Sequence, residues 1–335
     1  MAQSFDKIMA DLKAGHWASV YVLHGEEDFY IDRISDYIEE HVLDEGDKAF
    51  NQHVLYGKET DFKTLLDVLR RYPMMAQYQV VILKEAQQMR SLSNLDVYLE
   101  NPSTTSIFVI CHKHKKLDKR TKFGKLATKN SIEFYASPLR DYQVPDWIMS
   151  YAREEGLKIT NEAAILLEEF QGADLSLIAK SIEKLKVNMQ AGDTITPDLI
   201  QQYIGISKQY NAFELQNALV NRNEAKAFKI VRYFASNPKA AHINMVISTL
   251  YGFFSKLFVL HHESIAHGTN IASFLGVHPF AAKQYLKAKN GFNAGQVSKA
   301  LRVLKEYDLR SKGVNNGSAG QNALMQEMVF KILHA

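Results

Sequence analysis

The sequence predicts an α/β domain built on a parallel five-strand sheet, followed by a small helical domain and an all-α domain. Three observations carry that reading. Short apolar runs at 20–23, 52–56, 80–83, 106–111 and 131–135 alternate with amphipathic segments, the pattern of strands joined by crossover helices. A run such as Val80-Val81-Ile82-Leu83 is apolar on both faces, as a parallel strand covered on both sides must be. From Leu139 onward apolar residues recur only at three- and four-residue spacing.

Taken in order, residues 5–12 read as a short helix, and the strand at 20–23 leads through His24-Gly25-Glu26-Glu27-Asp28 into a helix over 29–42. Strand, glycine turn and helix are where a nucleotide-binding protein places its phosphate loop. Such a loop needs several glycines, so that amides converge on phosphate, and a Lys-Ser/Thr pair. Here one glycine is followed by three acids, which would repel a triphosphate. The strand at 80–83 ends in Lys84-Glu85, where a nucleotidase would carry Asp-Glu to hold magnesium and align water. Two independent parts of a nucleotide site are missing, so no catalytic residue, cofactor or metal is expected.

Between the strands at 52–56 and 80–83, Phe62, Leu65, Leu66 and Leu69 mark one helix face, and Arg70 and Arg71 follow where a helix end favours cations. Pro73 is expected to end that helix, since it lacks a backbone donor and restricts Tyr72 before it. Met74 and Met75 then stand at the tip, where a plain connector would be polar. Two readings fit them: gap-filling residues of the local core, or an exposed knob that enters a partner's pocket.

A helix at 92–99, the strand at 106–111, a helix at 119–128 and the strand at 131–135 complete the domain. Lys113, Lys115, Lys116, Lys119, Arg120, Lys122, Lys125 and Lys129 form the densest basic run, opposed within the run only by Asp118. It reads either as a solvated helix surface or as a face that follows a phosphate backbone without reading bases. No aromatic row alternates with it, so a stacking platform for single strands is not indicated. The His112/His114 and His261/His262 pairs lack nearby cysteines or carboxylates and read as surface histidines.

Ser137-Pro138 marks the first boundary, giving domains at 1–138, 139–207 and 208–335. The second carries stripes at Trp147, Ile148, Tyr151, Ala152 and at Ala163, Leu166, Leu167, Phe170, then a helix capped by Asp174 and a short one opened by Thr196-Pro197. After a break at 205–209, the third reads as helices at 212–220, 223–235, 240–266, 279–288, 294–312 and 319–333.

With 46% hydrophobic and 23% charged residues, the chain has the make-up of an ordinary globular protein. A net charge of +3 permits nucleic-acid contact without arguing for it. The single cysteine, Cys111, excludes an internal disulfide and fits a reducing compartment. The first residues lack a signal peptide's layout, and the apolar segment 243–260, interrupted by Lys256, reads as a buried helix, so a cytoplasmic protein without membrane contact is expected.

With every part placed, the chain resembles the delta subunit of the bacterial DNA polymerase III clamp loader. The resemblance runs through residues 21–28, Pro73-Met74-Met75-Ala76, Lys116-Leu117-Asp118-Lys119-Arg120, Val277-His278-Pro279-Phe280-Ala281-Ala282-Lys283 and Asp308-Leu309-Arg310-Ser311-Lys312-Gly313. It implies an AAA+-like first domain without a working ATP site, a small helical domain, and a helical collar that joins the other loader subunits in a ring. It implies as partners the sliding clamp, those subunits and, in the assembled complex, DNA. In the family an apolar pair before strand three enters a pocket on the clamp. That pair falls on Met74 and Met75, with Tyr72 and Pro73 beside it, and Met-Met departs from the better-known Leu-Phe. Lys115, Lys116, Lys119 and Arg120 are the residues expected to face DNA. The expected function is to bind the clamp and help hold it open for loading onto primed DNA, without catalysis by this chain alone. The rivals are a nucleotide-dependent AAA+ ATPase and a stand-alone DNA-binding module.

Overall fold

The computed structural model describes residues 3–190, 192–205, 210–237, 241–262, 270–277 and 279–335, which form two compact units divided after Leu139. In the first, five parallel strands, β1 (Val20–Gly25), β2 (Gln52–Tyr56), β3 (Gln79–Lys84), β4 (Ser106–Lys113) and β5 (Ile132–Ala136), lie in the order β2-β3-β4-β1-β5. Around them run α1 (Phe5–Lys13), α2 (Asp28–His41), α3 (Glu45–Asn51), α4 (Phe62–Leu69), α5 (Asp96–Glu100) and α6 (Lys122–Asn130).

The doubly apolar strands follow from the sheet's position between two cores. Successive side chains of a strand point to opposite faces. Val20, Val22, Val81, Leu83, Phe108 and Ile110 accordingly pack with Leu65, Leu69, Leu99 and Phe123 on one face. Tyr21, Leu23, Val80, Ile82, Ile107 and Val109 pack with Ile8, Leu12, Ile31 and Ile34 on the other.

Three expectations for this unit are corrected. The helix α3, seven mostly polar residues, was not foreseen, because its single large apolar side chain, Phe50, sets no period. The helix α4 stops at Leu69, well before Pro73, with Arg70 as its C-cap. The expected helix at 119–128 begins at Lys122, where the Thr121 side chain accepts the Gly124 N–H. Ahead of it, Asp118 accepts the Arg120 N–H and turns the chain instead.

The second unit opens with α7 (Val144–Glu154), α8 (Asn161–Gln171), α9 (Leu175–Lys186) and α10 (Pro197–Ile204). It is not purely helical: β6 (Lys158–Ile159) and β7 (Thr194–Ile195) form a two-residue parallel pair. Asp174 and Thr196 cap α9 and α10 as the sequence indicates. Then follow α11 (Ala212–Val220), α12 (Glu224–Ser236), α13 (Ile243–His262), α14 (Ile271–Leu275), α15 (Pro279–Gly291), α16 (Ala294–Ser311) and α17 (Gln321–Leu333) around one large core. By length and composition α13 could cross a membrane. Its Ile243, Val246, Ile247, Leu250, Phe253, Phe254, Leu257 and Leu260 are buried in that core, as a core helix requires. Residues 206–209 of the expected second boundary, residues 240 and 263–266 of the expected long helix, and His278 lie outside the described residues.

Candidate functional site

In an open parallel sheet, ligands settle beyond the C-terminal strand ends where neighbouring connections diverge. Here that place is the end of β1, between β4 and β5. Gly25 has φ 137°, and a Cβ on it would lie 2.0 Å from the Ala136 carbonyl oxygen, so glycine is forced by the approach of β5. The N–H groups of Glu26 and Glu27 both donate to that same carbonyl, at 3.0 and 3.3 Å. These are amides a phosphate loop would turn toward its anion. The Glu27 carboxylate accepts the Phe29 N–H and caps α2.

The segment after β4 is fastened across this strand end. Leu117 N–H donates to His24 Nδ1 at 3.2 Å, which leaves the proton on Nε2 to reach Glu133 Oε1 at 3.0 Å. Lys119 pairs with the same carboxylate. Burial draws the His24 pKa down despite Glu133. Burial pushes Glu133 up, but Lys119 and His24 outweigh it and leave it below the usual carboxylate value. Lys113 pairs with Asp32 at 2.7 Å, and His114 with Asp28 at 3.2 Å. Lys84, where a nucleotidase would keep an acid, pairs with Glu39 at 3.1 Å and Asp36 at 3.5 Å.

The surface assignment fails for His112, which is buried and donates from Nδ1 to the Lys115 carbonyl, whereas His114 and His262 are exposed. Burial also pushes the Cys111 thiol up to about 12, the behaviour of an inert core residue. Among the described residues no group of three or more His, Cys, Asp or Glu side chains is placed to hold a metal.

The basic run is less uniform than its sequence. Acids distant in the chain meet Lys113, Lys119 and Lys122, the last pairing with Asp96 and Glu100, while Arg120 grips Asp118. Lys116 lies 4.7 Å from the Tyr135 ring centroid. Lys115, Lys125 and Lys129 are exposed and carry no ion pair among the described residues. Of the four residues expected to face DNA, all are exposed, but Lys119 and Arg120 have acidic partners of their own.

The second candidate is the connection from α4 to β3. Met75 is fully exposed, Met74 61% and Tyr72 85%, with Pro73 half-buried, which rules out the reading of the methionines as core. The connection is nonetheless fixed at both ends. Gln79 Nε2 shares its protons among the Val68, Leu69 and Arg71 carbonyls at 3.1, 3.3 and 2.8 Å, and Ser106 Oγ donates to Leu69 O at 3.0 Å. These bonds satisfy carbonyls that a helix C-terminus otherwise leaves open. Beyond the tip, Ala76 and Tyr78 pack against the core shared with α1 and α2. At the tip, buried Asn51 accepts the Met74 N–H at 2.7 Å and donates to the Met74 carbonyl at 3.0 Å. Met75 follows with φ 57°, a left-handed conformation that costs a residue with a Cβ roughly 1–2 kcal/mol. Strain of this kind persists only where neighbouring contacts impose it. Asn51 and Gln79 were missed in the sequence. Asn51 is 23 residues from Met74, and neither residue belongs to a recognisable motif.

A five-strand parallel sheet in this order, helices on both faces and a strand-turn-helix at its centre define an AAA+-like α/β protein with a helical continuation. Comparison with known proteins narrows the class. The family model "DNA polymerase III, delta subunit" matches residues 21–137, and that for the same subunit's C-terminal domain matches residues 209–332. The chain belongs to the family of DNA polymerase III delta subunits, components of the clamp loader. DNA polymerase III subunit delta of Bacillus subtilis (strain 168) is 25% identical over 337 residues, covering 97% of this chain and 96% of that protein. The solved structure of a Bacillus subtilis DNA clamp loader delta protein superposes with a TM-score of 0.65 at 23% identity, over 99% of this chain and 100% of that one. A DNA polymerase III gamma subunit-related protein of Thermotoga maritima matches at a TM-score of 0.34 and 11% identity over 99% of each chain, too distant to bear on function.

Proposed function

We propose that this chain is the subunit that grips the sliding clamp and favours its open form, with Met74 and Met75 as the apolar contact and Tyr72 and Pro73 at its margin. The observation that carries the reading is the pair of methionine side chains held out in water on a braced, strained connection, in a delta-family chain. Burying one such side chain contributes roughly 1.5–3 kcal/mol before the costs of association. A grip at one clamp interface opens the ring only if the open form is held more tightly than the closed one. The chain does not bind ATP: the amides of the β1–α2 turn are bound to Ala136, and lysines stand among its acids. Nucleotide-driven steps then belong to other loader subunits, met through a helical collar at 208–335 beyond the small domain at 139–207. DNA in the assembled loader faces Lys115 and its neighbours, and the complex works in the cytoplasm.

The test is surface-plasmon resonance against the sliding clamp of the same organism. Met74→Ala combined with Met75→Ala is expected to weaken binding about 100-fold or more, with an unchanged thermal unfolding curve. Unchanged affinity in a folded double variant rejects the knob. Calorimetry with ATP and magnesium is expected to show no heat of binding, and a measurable affinity would overturn the non-nucleotide reading.

A further inference from the structure

We infer that Asn51 is the positioning residue of the clamp contact: its carboxamide holds the Met74 backbone so that Met75 adopts its left-handed conformation and its side chain is presented ready for a pocket. This inference rests on the reading of Met74 and Met75 as the clamp knob and adds the device that aims them.

The geometry is specific. Asn51 is the last residue of α3 and 1% exposed, and its side chain meets both polar groups of one distant residue, accepting at 2.7 Å and donating at 3.0 Å. That two-point bond copies one rung of a β-ladder, so it fixes the orientation of the Met74 peptide as well as its position. The same amide nitrogen lies 3.2 Å from the Asp47 carbonyl, which ties the carboxamide to its own helix. The next residue, Met75, has φ 57° and a fully exposed side chain, so no packing of its own holds it there. Asn51 touches neither exposed thioether through its carboxamide bonds, which reach backbone atoms alone. It acts through Met74. A contact aimed in advance forfeits less freedom when the partner arrives.

Three full-length proteins test this against the sliding clamp of the same organism: Asn51→Ala, Asn51→Asp, and the Met74/Met75 double alanine variant. Clamp affinity is measured by surface-plasmon resonance, backbone opening by hydrogen exchange at the Met74 amide, and folding by thermal melting. Asn51→Ala is expected to weaken clamp binding about 10-fold and to speed Met74 amide exchange by a similar factor, with the exchange of β3 and β4 amides unchanged. Asn51→Asp keeps an acceptor for the Met74 N–H but not the donor to its carbonyl, and is expected to fall between Ala and the native residue. Native affinity in folded Asn51→Ala, with the double methionine variant inactive, overturns the role of Asn51 and leaves the knob standing. Native affinity in both sinks the knob reading itself. Weaker binding with an unaltered Met74 amide, or with faster exchange throughout the sheet, would make Asn51 a general stability residue and also overturns the inference. If Asn51→Ala does not fold, the Asp variant decides by the same two readouts.

Discussion

Two connections in the first unit, both at the margin of the same sheet, treat their side chains in opposite ways. At the end of β1, charged and polar groups are bound to one another: His24 with Glu133, Lys119 with Glu133, Lys113 with Asp32, and the Glu26 and Glu27 amides with Ala136. Between α4 and β3, two methionines and a tyrosine are turned outward, and only the backbone is held. The first arrangement closes a place where the fold would admit a small ligand. The second leaves an apolar tip in solvent, the surface that the proposed clamp contact uses. The two connections differ in where their hydrogen bonds terminate: on side chains and amides at the first, on the backbone alone at the second.

That contrast can be broken most forcibly at the closed end. Glu133→Ala removes the acceptor of the His24 proton and is expected to cost about 2–3 kcal/mol of stability in urea unfolding, while creating no ATP affinity. If the variant gains nucleotide binding, the ion pairs were the barrier, and the Gly25 approach to Ala136 is the lesser obstacle. At the open end, Gln79→Ala takes the donor from the Arg71 carbonyl, while Ser106 still serves Leu69 and the Arg71 N–H still serves Val68, and is expected to cost about 1–2 kcal/mol, with clamp affinity reduced only a few-fold because Asn51 still holds the tip.

Acid and base sharpen a second difference, between the two units. The folded pKa of His24 is below its ordinary 6.5, so the unfolded chain takes up the proton first. Stability from His24 is complete above pH 6.5 and declines as pH falls through its own lower value. In the second unit, burial pushes Glu168 up to about 7, with Asp141 adding to the shift, and Glu169 up to about 8, with Glu168 adding. Their contribution is complete below 4.5 and lost as pH rises through 7 to 8. Melting temperature should therefore drop on both sides of neutrality, and Glu169→Gln should flatten the alkaline side alone. An unchanged alkaline limb in that variant would show that Glu169 titrates normally.

The smallest effect concerns DNA. Lys115→Ala in the assembled loader should lower the slope of log affinity against log salt by about 0.9 if that lysine neutralises one phosphate. Arg120→Ala should change it less, because Asp118 already engages the guanidinium at 2.8 Å. Equal slopes for the two variants would remove the distinction between free and paired cations.

The sheet was legible because a strand covered on both faces must be apolar at every position, and such runs as 80–83 and 107–111 leave few alternatives. The end of α4 was not, because Gln79 and Ser106 close it from beyond the connection, and Pro73 only follows a turn already made. Met74 and Met75 were undecidable by composition, since an unbranched thioether suits a core gap as well as a partner's pocket. The basic run misled in a different way. Its neutralising partners Asp32, Asp96, Glu100 and Glu133 come from elements on either side of it in the chain, and only the fold brings them near. Asn51 is the sharpest case: its role depends on a residue it meets only after β2, α4 and the connection beyond them are in place.

The narrow gap at Gly25 has a corollary for anyone wishing to build a phosphate loop at this turn. Grafting a Lys-Ser/Thr pair into residues 26–28 would supply new side chains to amides that already have a partner, since Ala136 O receives two of them. Every additional Cβ at Gly25 would collide with the same carbonyl. Room for such a loop would demand redrawing the exit of β5, a change of path and not of residues.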